Sequence, residues 1–496
     1  MNVAAVLNEA TAHFADRPAI FYRDAPVTIS WLVEETQRAI ALLEQHAIKP
    51  GDRVLLLANN KPEWLACYFA VLAHGAVLVP LNPALTISEI GYILADCKPL
   101  LGFVDPELVE RLGDLASSFH VVVLPGDDDP IAEGAYRVDN AGARIAPLDV
   151  AGIHPAIIFY TSGTTGKPKG VVLGHGATLS TVCRTAQWLR STPTDCALVA
   201  GPLAFIMNSS IAAIGHLKIG ATVVLQKRFR PQDAAEAIAR YRVTILLWVP
   251  TMYVMAMELA ESQPVDFSSL RVCIAGGSSL PWPVAERFER MFGRAVLSGW
   301  GMTEGTPVTG FDVVGRGYPD SIGKALDDCD VLVVDNDGSP LPAGEIGELI
   351  YRSPSNMIGY FNKPQETAET VKNGWIWSGD LGWKNEEGYF YIAGRRKDMI
   401  IRGGANIYPA EIESVLCEHD DISEAAVIGV PDERFGEHVI AFIRPRDGAQ
   451  IDVDALAPYC SDRLAAYKVP QRFILVEDLP RGPTGKILKR ELQEPA

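Results

Sequence analysis

Hydrophobic positions along the first 280 residues follow two alternating patterns. Short, continuous apolar runs rich in Val, Ile and Leu are typical of buried strands, and longer runs with apolar positions three or four apart are typical of helices. The strand pattern occurs at 53–59, 76–81, 221–226, 244–250 and 271–277, and the helix pattern at 61–75, 87–97 and 233–243. This alternation predicts layered α/β subdomains with parallel sheets.

The pattern changes further along the chain. Residues 125–155 lack periodicity and are rich in Asp, Gly, Ala and Pro, which predicts a surface loop. Beyond residue 325, short apolar runs separated by turn dipeptides predict a β-rich subdomain. After residue 394 the pattern indicates a small unit of mixed helices and strands. We therefore predict an α/β protein with a large N-terminal domain over 1–394 and a small α+β C-terminal domain over 395–496.

The formal charge is −17, from 44 basic and 61 acidic residues. This balance argues against binding to nucleic acid or an anionic bilayer, but it allows a small basic pocket for phosphates. The longest apolar stretch, 64–81, is interrupted by His74 and Gly75 and is slightly too short to cross a bilayer, so we predict no membrane span. Because the first residues lack the features of a signal peptide, we predict a cytoplasmic protein.

Eight cysteines are scattered along the chain, without a CxxC pair and without a histidine at zinc-site spacing. We interpret them as buried or free thiols of a reducing compartment, not as disulfides or metal ligands. The length of 496 residues and the apolar fraction of 48% allow a large buried core.

A loop rich in Gly, Ser, Thr and Lys follows the apolar run 156–159. Backbone N–H groups of small residues, hydroxyls and ammonium groups can converge on a phosphate. A Walker A loop is excluded, because Gly163 and Gly166 are only three residues apart and Pro168 follows Lys167. The β-branched run after the loop predicts that it joins two strands. On composition alone, a solvated turn is an equally good interpretation.

The full loop sequence, YTSGTTGKPKG at 160–170, resembles a signature of the adenylate-forming enzymes: acyl-CoA synthetases, adenylation domains of peptide synthetases and luciferases. Five further motifs follow in that family's order: GGSSLP at 276–281, GWGMTEG at 299–305, WIWSGDLG at 375–382, GRRKDMIIRGGANIYPAEIE at 394–413 and RGPTGKILKREL at 481–492. The resemblance implies an acid–CoA ligase that uses ATP, Mg²⁺ and coenzyme A. A carboxylic acid would first form acyl-AMP and pyrophosphate, and a thiol would then attack the acyl-AMP carbonyl.

In the first step a carboxylate must approach a polyanion, so cations and N–H donors are needed. Lys486 resembles the family's catalytic lysine, which bridges the substrate carboxylate and the nucleotide, although a lone lysine on a turn is usually solvated. The resemblance assigns the β- and γ-phosphates to Thr161, Ser162, Gly163, Thr164, Thr165, Gly166, Lys167 and Lys169.

Thr303 and Glu304 resemble the family's α-phosphate donor and Mg²⁺ ligand, so we count both as catalytic; a solvated strand-end pair is the alternative. Asp380 would accept both ribose hydroxyls, or would form an Asx turn only. Arg395 would contact the ribose or a phosphate. The resemblance assigns further nucleotide contacts to Gly276, Trp300, Gly301 and Met302, with the indole of Trp300 stacked on adenine or filling the core.

Lys397 matches the family's hinge position, about which the small C-terminal domain rotates between the two steps. Rotation would bring Gly403 and Gly404 to the thiol channel, where residues without a Cβ leave room for a pantetheine arm. A simple β-turn is the alternative interpretation of these glycines.

Family members that activate acetate carry Trp at the position of Gly301, so glycine implies a deeper acyl pocket. A medium- or long-chain fatty acid or an aromatic acid would suit such a pocket. Its walls are expected to include Gly276 and Met302 together with Phe205, Met207, Asn208, Ala275, Gly299 and Pro307.

Phe205 replaces a histidine that many acyl- and aryl-CoA ligases carry as a gate; phenylalanine can also gate the pocket, but the polar role of the histidine is absent. Asn208 would recognise a polar group of the acid or would cap a helix. Because residues 196–232 contain no Asp to bind an ammonium group, we do not expect an α-amino acid substrate.

Two rival functions remain open. An acyl-AMP ligase would load a carrier protein instead of coenzyme A, and a non-catalytic sensor would bind nucleotide on the same fold. The sequence contains Lys486, Glu304 and Asp380 together. This argues against the sensor, because a sensor need not keep all three. We expect a standalone enzyme that could form a homodimer.

Overall fold

Three large sheets and one small sheet organise the part of the protein that the computed structural model describes, residues 1–14, 17–126, 144–161, 168–311, 318–432, 434–482 and 485–493. The strands are β1 Ile20–Tyr22, β2 Ala25–Val27, β3 Arg53–Leu57, β4 Val77–Leu81, β5 Leu101–Val104, β6 His120–Val123, β7 Pro155–Thr161, β8 Lys169–Gly174, β9 Cys196–Val199, β10 Thr222–Leu225, β11 Ile245–Trp248, β12 Val272–Ala275, β13 Val296–Ser298, β14 Trp300–Met302, β15 Gly305–Gly310, β16 Ser321–Ala325, β17 Asp330–Val334, β18 Gly347–Arg352, β19 Gly359–Tyr360, β20 Val371–Lys372, β21 Trp375–Lys384, β22 Phe390–Arg395, β23 Ile400–Arg402, β24 Ala405–Ile407, β25 Ile422–Asp432, β26 Gly436–Pro445 and β27 Arg472–Leu475.

The α-helices are α1 Ala5–Thr11, α2 Ile29–Gln45, α3 Pro62–His74, α4 Ile87–Cys97, α5 Pro106–Leu112, α6 His175–Trp188, α7 Gly215–Lys218, α8 Pro231–Tyr241, α9 Pro250–Ser262, α10 Trp282–Phe292, α11 Pro364–Thr370, α12 Pro409–Cys417 and α13 Val453–Ser461. A π-helical segment covers Met207–Ile214, and 3₁₀ turns cover Gly113–Ser118, Arg396–Asp398 and Lys489–Glu491.

The first sheet has the strand order β19-β8-β7-β4-β3-β5-β6 among the described residues. Strands β7, β4, β3, β5 and β6 pair in parallel, and β8 returns antiparallel to β7. Local signals explain the helices between them: Pro62 starts α3, Gly75 ends it with φ of 79°, and Thr86 and Glu89 form a reciprocal capping box at α4. The predicted strand–helix alternation is confirmed here.

The second sheet has the order β13-β12-β11-β9-β10-β1-β2, parallel except for the β1–β2 pair. Helices on both faces of such sheets leave the carboxyl ends of the strands as the place where ligands bind. Segments that follow β9, β11, β12 and β13 all line one large cavity at this edge.

The third sheet is antiparallel and has the order β14-β15-β16-β22-β21-β18-β17, with β20 on β21. The predicted β-rich subdomain is therefore confirmed, although the sheet begins at Trp300, earlier than expected. Strand β22 belongs to this sheet up to Arg395, and the turn Arg396–Asp398 leads to β23 of the small sheet. The small sheet has the order β24-β23-β26-β25, with β27 parallel to β26 and helices α12 and α13 packed on it.

The predicted surface loop at 125–155 is described only in part, because residues 127–143 lie outside the described residues. Residues 144–154 form neither helix nor strand. Ile145 in this stretch is nevertheless buried. All eight cysteines are free thiols and are buried or half-buried, as predicted. Within the described ranges, no helix is both long and apolar enough to cross a bilayer.

Candidate active site

A cavity of about 1580 Å³ lies where the large sheets meet the small C-terminal unit. Its walls combine ends of parallel strands, the β14–β15 hairpin, the end of β22 and the segment that carries Lys486. The cavity therefore collects most of the motifs that the sequence singled out, although they are spread over more than 300 residues.

Lys486 enters this cavity from the C-terminal unit and is half-buried. Gly277, with φ of 85°, lies beside the side chain: a Cβ built there would be in ordinary van der Waals contact with Cε of Lys486, at 3.6 Å. The preceding residue, Gly485, is held because the hydroxyl of Thr251 lies 3.4 Å from its carbonyl oxygen. The lysine is thus positioned by packing of its own turn against the second sheet.

Burial lowers the pKa of the Lys486 ammonium, and the nearby guanidinium of Arg395 lowers it further, while Asp380 and Glu304 oppose the shift. Desolvation and a like charge both favour the neutral amine. An anion that enters the cavity would offset this cost, so the site is prepared for a negatively charged ligand.

Thr303 and Glu304 form the two-residue connection of the β14–β15 hairpin, in which Met302 pairs with Gly305. Glu304 is only 6% exposed, and its Oε1 accepts a hydrogen bond of 2.7 Å from the hydroxyl of Tyr360. Burial raises the pKa of Tyr360, and Glu304 raises it further, so the tyrosine remains a donor. The solvated strand-end interpretation is therefore wrong for Glu304, whereas Thr303 is partly exposed.

Asp380 is 6% exposed and is held by two donors. Its Oδ1 lies 2.9 Å from Nε of Arg395, and its Oδ2 accepts a hydrogen bond of 2.9 Å from the indole N–H of Trp300. The Trp300 ring packs edge-on against Tyr351, with centroids 5.5 Å apart. Trp300 thus orients the carboxylate in addition to lining the cavity.

The predicted phosphate loop joins β7 and β8, as expected, but Ser162, Gly163, Thr164, Thr165, Gly166 and Lys167 lie outside the described residues. The flanking residues Thr161 and Lys169 pair across the hairpin and line the cavity. The ammonium of Lys169 lies 5.1 Å from the ring centroid of Tyr360, the residue that binds Glu304.

Most predicted acyl-pocket residues line the cavity: Phe205, Met207, Asn208, Gly276, Gly299, Met302 and Pro307. Ala275 is a correction. Its side chain packs in the core on the other face of the second sheet, and Ile274 lines the cavity instead, because neighbouring strand residues face opposite sides. Asn208 does not cap a helix, since the residue at the helix start is Ile206, which forms no side-chain cap.

Gly301 also lines the cavity, but a Cβ built there would lie 2.9 Å from Cβ of Thr306 in its own hairpin. A large side chain at this position would therefore need the hairpin to rearrange. The depth of the acyl pocket at Gly301 stays a prediction.

Gly403 and Gly404 lie outside the cavity lining, in the tight turn between β23 and β24, with φ of 60° and 81°. Positive φ at both positions favours residues without a Cβ, so a β-turn alone accounts for the two glycines in this arrangement. Lys397 lies in the exposed turn after β22 and borders the cavity.

A family model described as AMP-binding enzyme matches residues 7–361, and a second, AMP-binding enzyme C-terminal domain, matches residues 411–486. The chain belongs to the AMP-binding enzyme family. It is 32% identical to a long-chain-fatty-acid–CoA ligase of Bacillus subtilis (strain 168), covering 99% of this chain and 93% of the relative. It is 36% identical to a feruloyl-CoA synthase of an Amycolatopsis species, covering 96% and 95%. The crystal structure of ATP-bound MatB from Rhodopseudomonas palustris matches with a TM-score of 0.89 at 31% identity, covering 99% of this chain and 98% of that one.

Glu304 is the residue of this AMP-binding enzyme that could hold a Mg²⁺ ion. One carboxylate oxygen accepts from Tyr360, and the other has no donor among the described residues. Within the same residues, no group of three His, Cys, Asp or Glu side chains could hold a metal. This donor set suits Mg²⁺, which typically binds one or two carboxylates together with substrate phosphates.

An interface cluster of polar side chains joins the large lobe of the AMP-binding enzyme, which contains the three large sheets, to the small C-terminal unit. Helix α9 contributes Thr251 and Glu258, and the C-terminal unit contributes Ser423, Glu424, Arg444 and Arg481. Oε1 of Glu258 lies 2.8 Å from Nη2 of Arg444 and accepts from Ser423 at 2.9 Å. Nη1 of Arg481 donates to the Thr251 hydroxyl at 2.7 Å. The cluster holds the Lys486 turn against the large lobe.

Glu258→Gln should weaken this arrangement. Because the Glu258–Arg444 pair is mostly buried, we expect acyl-adenylate formation to fall about threefold to tenfold, while thioester formation from supplied acyl-AMP stays unchanged. Glu261→Gln is the matched control, since Glu261 lies on the same helix but pairs with Arg287 within the large lobe. Equal losses in both half-reactions, or an equal loss in the control, would contradict the assignment.

Sequence reasoning missed Tyr360 and the interface cluster. Tyr360 is 56 residues from Glu304 and reaches it because β19 pairs with β8, next to the phosphate hairpin. Arg481 and Thr251 are 230 residues apart. Arg481 begins the last motif, but nothing local in the sequence indicates its partner.

Proposed function

We propose that the protein is an ATP-dependent acid–CoA ligase that forms acyl-AMP and then acyl-CoA. The observation that carries this proposal is that Lys486 lines the same cavity as Glu304, Asp380, Arg395 and the ends of the phosphate hairpin. A carboxylate and a nucleotide phosphate could both reach this cation. Membership of the AMP-binding enzyme family supports the same chemistry.

In the first step, a carboxylate oxygen of the acid attacks the α-phosphorus of ATP, the bond to the β-phosphate oxygen breaks, and pyrophosphate leaves. Lys486 and Thr303 would offset the repulsion between the two anions and the charge that develops on the α-phosphate. Asp380, oriented by Trp300 and Arg395, would bind the ribose hydroxyls. Mg²⁺ held at Glu304 would supply additional neutralisation of phosphate charge.

In the second step, the thiol of coenzyme A attacks the acyl carbonyl, loses its proton, and AMP leaves. Lys486 has no role in this attack, so the C-terminal unit is free to rotate about Lys397. The residues 1–394 and 395–496 would then act as two lobes, and the Gly403–Gly404 turn would approach the pantetheine arm. Both glycines lie on an exposed turn, which is compatible with such a contact.

The acid proposed is a medium- or long-chain fatty acid or an aromatic acid. Ile211, Leu247, Ile274 and Trp188 add apolar surface to the cavity lining, which favours an apolar acyl group. The names of the relatives, a long-chain-fatty-acid–CoA ligase and a feruloyl-CoA synthase, include both classes.

The test is a panel of fatty and aromatic acids incubated with the purified protein, ATP, Mg²⁺ and coenzyme A. The proposal predicts AMP and acyl-CoA in equal amounts, with pyrophosphate release dependent on the acid. Acyl-AMP that accumulates without a thioester, and is consumed by a carrier protein, would support the carrier-loading alternative. Absence of pyrophosphate release with every acid would overturn the ligase assignment.

The lowered pKa of Lys486 predicts a basic limb in the pH profile. Protonated lysine is the active form, so kcat/KM for ATP in adenylation should fall as pH rises through this pKa, below the ordinary lysine value of 10.5. The rate of pyrophosphate release between pH 7 and 10 measures this. In Lys486→Arg, which stays charged, the limb should disappear; a limb that persists unchanged belongs to another group.

A further inference from the structure

The side-chain amide of Asn208 lies in the wall of the cavity and has no hydrogen-bond partner among the described residues. Asn208 is 5% exposed and lines the cavity. Among the described residues, neither Oδ1 nor Nδ2 has a hydrogen-bonding neighbour. The residue is buried as a whole, but its amide atoms remain accessible from the cavity, so a polar group on the ligand can pair with them.

The backbone makes room for this amide. A Cβ built on Gly201 would lie 2.6 Å from Nδ2 and 2.8 Å from Oδ1 of Asn208, so any other residue at 201 would displace the amide. The π-helical start also leaves Asn208 without a capping role, since Ile206 precedes the segment. The amide therefore packs against Gly201 and makes no hydrogen bond to the described part of the fold.

Two nearby polar residues, Ser209 and Asn60, show the contrast. The hydroxyl of Ser209 donates to the carbonyl of Phe205 at 3.1 Å. Asn60, which is also buried nearby, is fully used: its amide donates to the carbonyls of Gly201 and Gln226 at 2.8 and 2.9 Å, and it accepts from the N–H of Leu203 at 2.8 Å. Asn60 stabilises the fold, whereas Asn208 is left for the contents of the cavity.

We propose that the acid carries an oxygen substituent, a hydroxyl or a carbonyl, on its otherwise apolar part, and that Asn208 binds this substituent. This inference rests on the proposed ligase function. The amide can donate to a carbonyl or accept from a hydroxyl. Its neighbours Phe205, Ile206 and Met207 in the cavity lining are apolar, so the amide is a polar group beside apolar surface.

The test compares matched acids: decanoate with its hydroxy and oxo positional isomers, and cinnamate with its ring-hydroxylated forms. We expect kcat/KM for pyrophosphate release to favour at least one oxygenated acid over its parent by roughly tenfold. In Asn208→Leu, which keeps the side-chain size, this ratio should fall to about one, with parent acids activated at least as well as before. Met207→Leu is the control, and should change rates without changing the ratio.

An unchanged ratio in Asn208→Leu, or a wild-type protein that prefers every unsubstituted parent, would overturn the assignment while leaving the ligase function intact. A wild-type protein that releases pyrophosphate with none of the acids would overturn both. The thermal unfolding midpoint should not fall in Asn208→Leu, since no native hydrogen bond is lost; Asn208→Ala provides the same comparison if leucine packs poorly against Gly201.

Discussion

Lys486→Ala should lower the rate of acyl-adenylate formation about 10²- to 10³-fold, while thioester formation from supplied acyl-AMP changes less than about threefold. The reason is electrostatic. In the proposed reaction the ammonium would lie where carboxylate and phosphate meet, in a cavity where burial strengthens its interaction with anions. In the second half-reaction no carboxylate approaches a polyanion, so this positive charge is not needed. Pyrophosphate release and acyl-CoA formation, measured separately, give the two rates.

Lys489→Ala is the matched control for this prediction. Lys489 is three residues away on the same segment, but its ammonium forms an ion pair of 2.5 Å with Glu413 inside the C-terminal unit. Its loss should leave both half-reactions nearly unchanged. Comparable losses in both half-reactions of Lys486→Ala would mean that the lysine acts through folding or through general nucleotide binding.

Glu304→Gln should lower acyl-adenylate formation about 100-fold and increase the Mg²⁺ concentration needed for half-maximal rate. The amide keeps the size of the side chain and can still accept from Tyr360, but it lacks the charge that a hard cation requires. Titration of pyrophosphate release with Mg²⁺ at saturating ATP measures both effects.

Tyr360→Phe separates the charge of Glu304 from its position. This variant keeps the carboxylate and removes its one described donor, so we expect only a severalfold loss and little change in the Mg²⁺ requirement. If Glu304→Gln and Tyr360→Phe gave the same Mg²⁺ dependence, the carboxylate would be a structural acceptor and the metal would bind elsewhere.

Periodicity predicted individual elements because local physics determines them. Helix α3 is bounded by Pro62 and by Gly75, whose positive φ an ordinary residue adopts only with strain. The order of strands in a sheet is different. It depends on which crossovers pack together, and nothing in residues 155–161 indicates that β7 lies beside β4 rather than β3.

The same difference between local and long-range information applies to the candidate active site. Residues inside motifs, such as Glu304 and Asp380, could be found because the resemblance aligned them. Ala275 could not be placed, because a shift of one residue along a strand reverses the face, and only the sheet shows that Ile274 faces the cavity. The unpaired amide of Asn208 also required the structure, since a sequence shows a polar residue but not the absence of partners.

The Lys486 turn and the lobe interface are one mechanical unit, because Thr251 contacts both Gly485 and Arg481. A catalytic group that assists pyrophosphate departure assists its re-entry equally, by microscopic reversibility. In the proposed cycle, separation of the lobes therefore removes the ammonium from the mixed anhydride and slows the back reaction. The same movement that admits the thiol therefore slows the reverse of the first step, in which acyl-AMP and pyrophosphate would re-form ATP and the free acid.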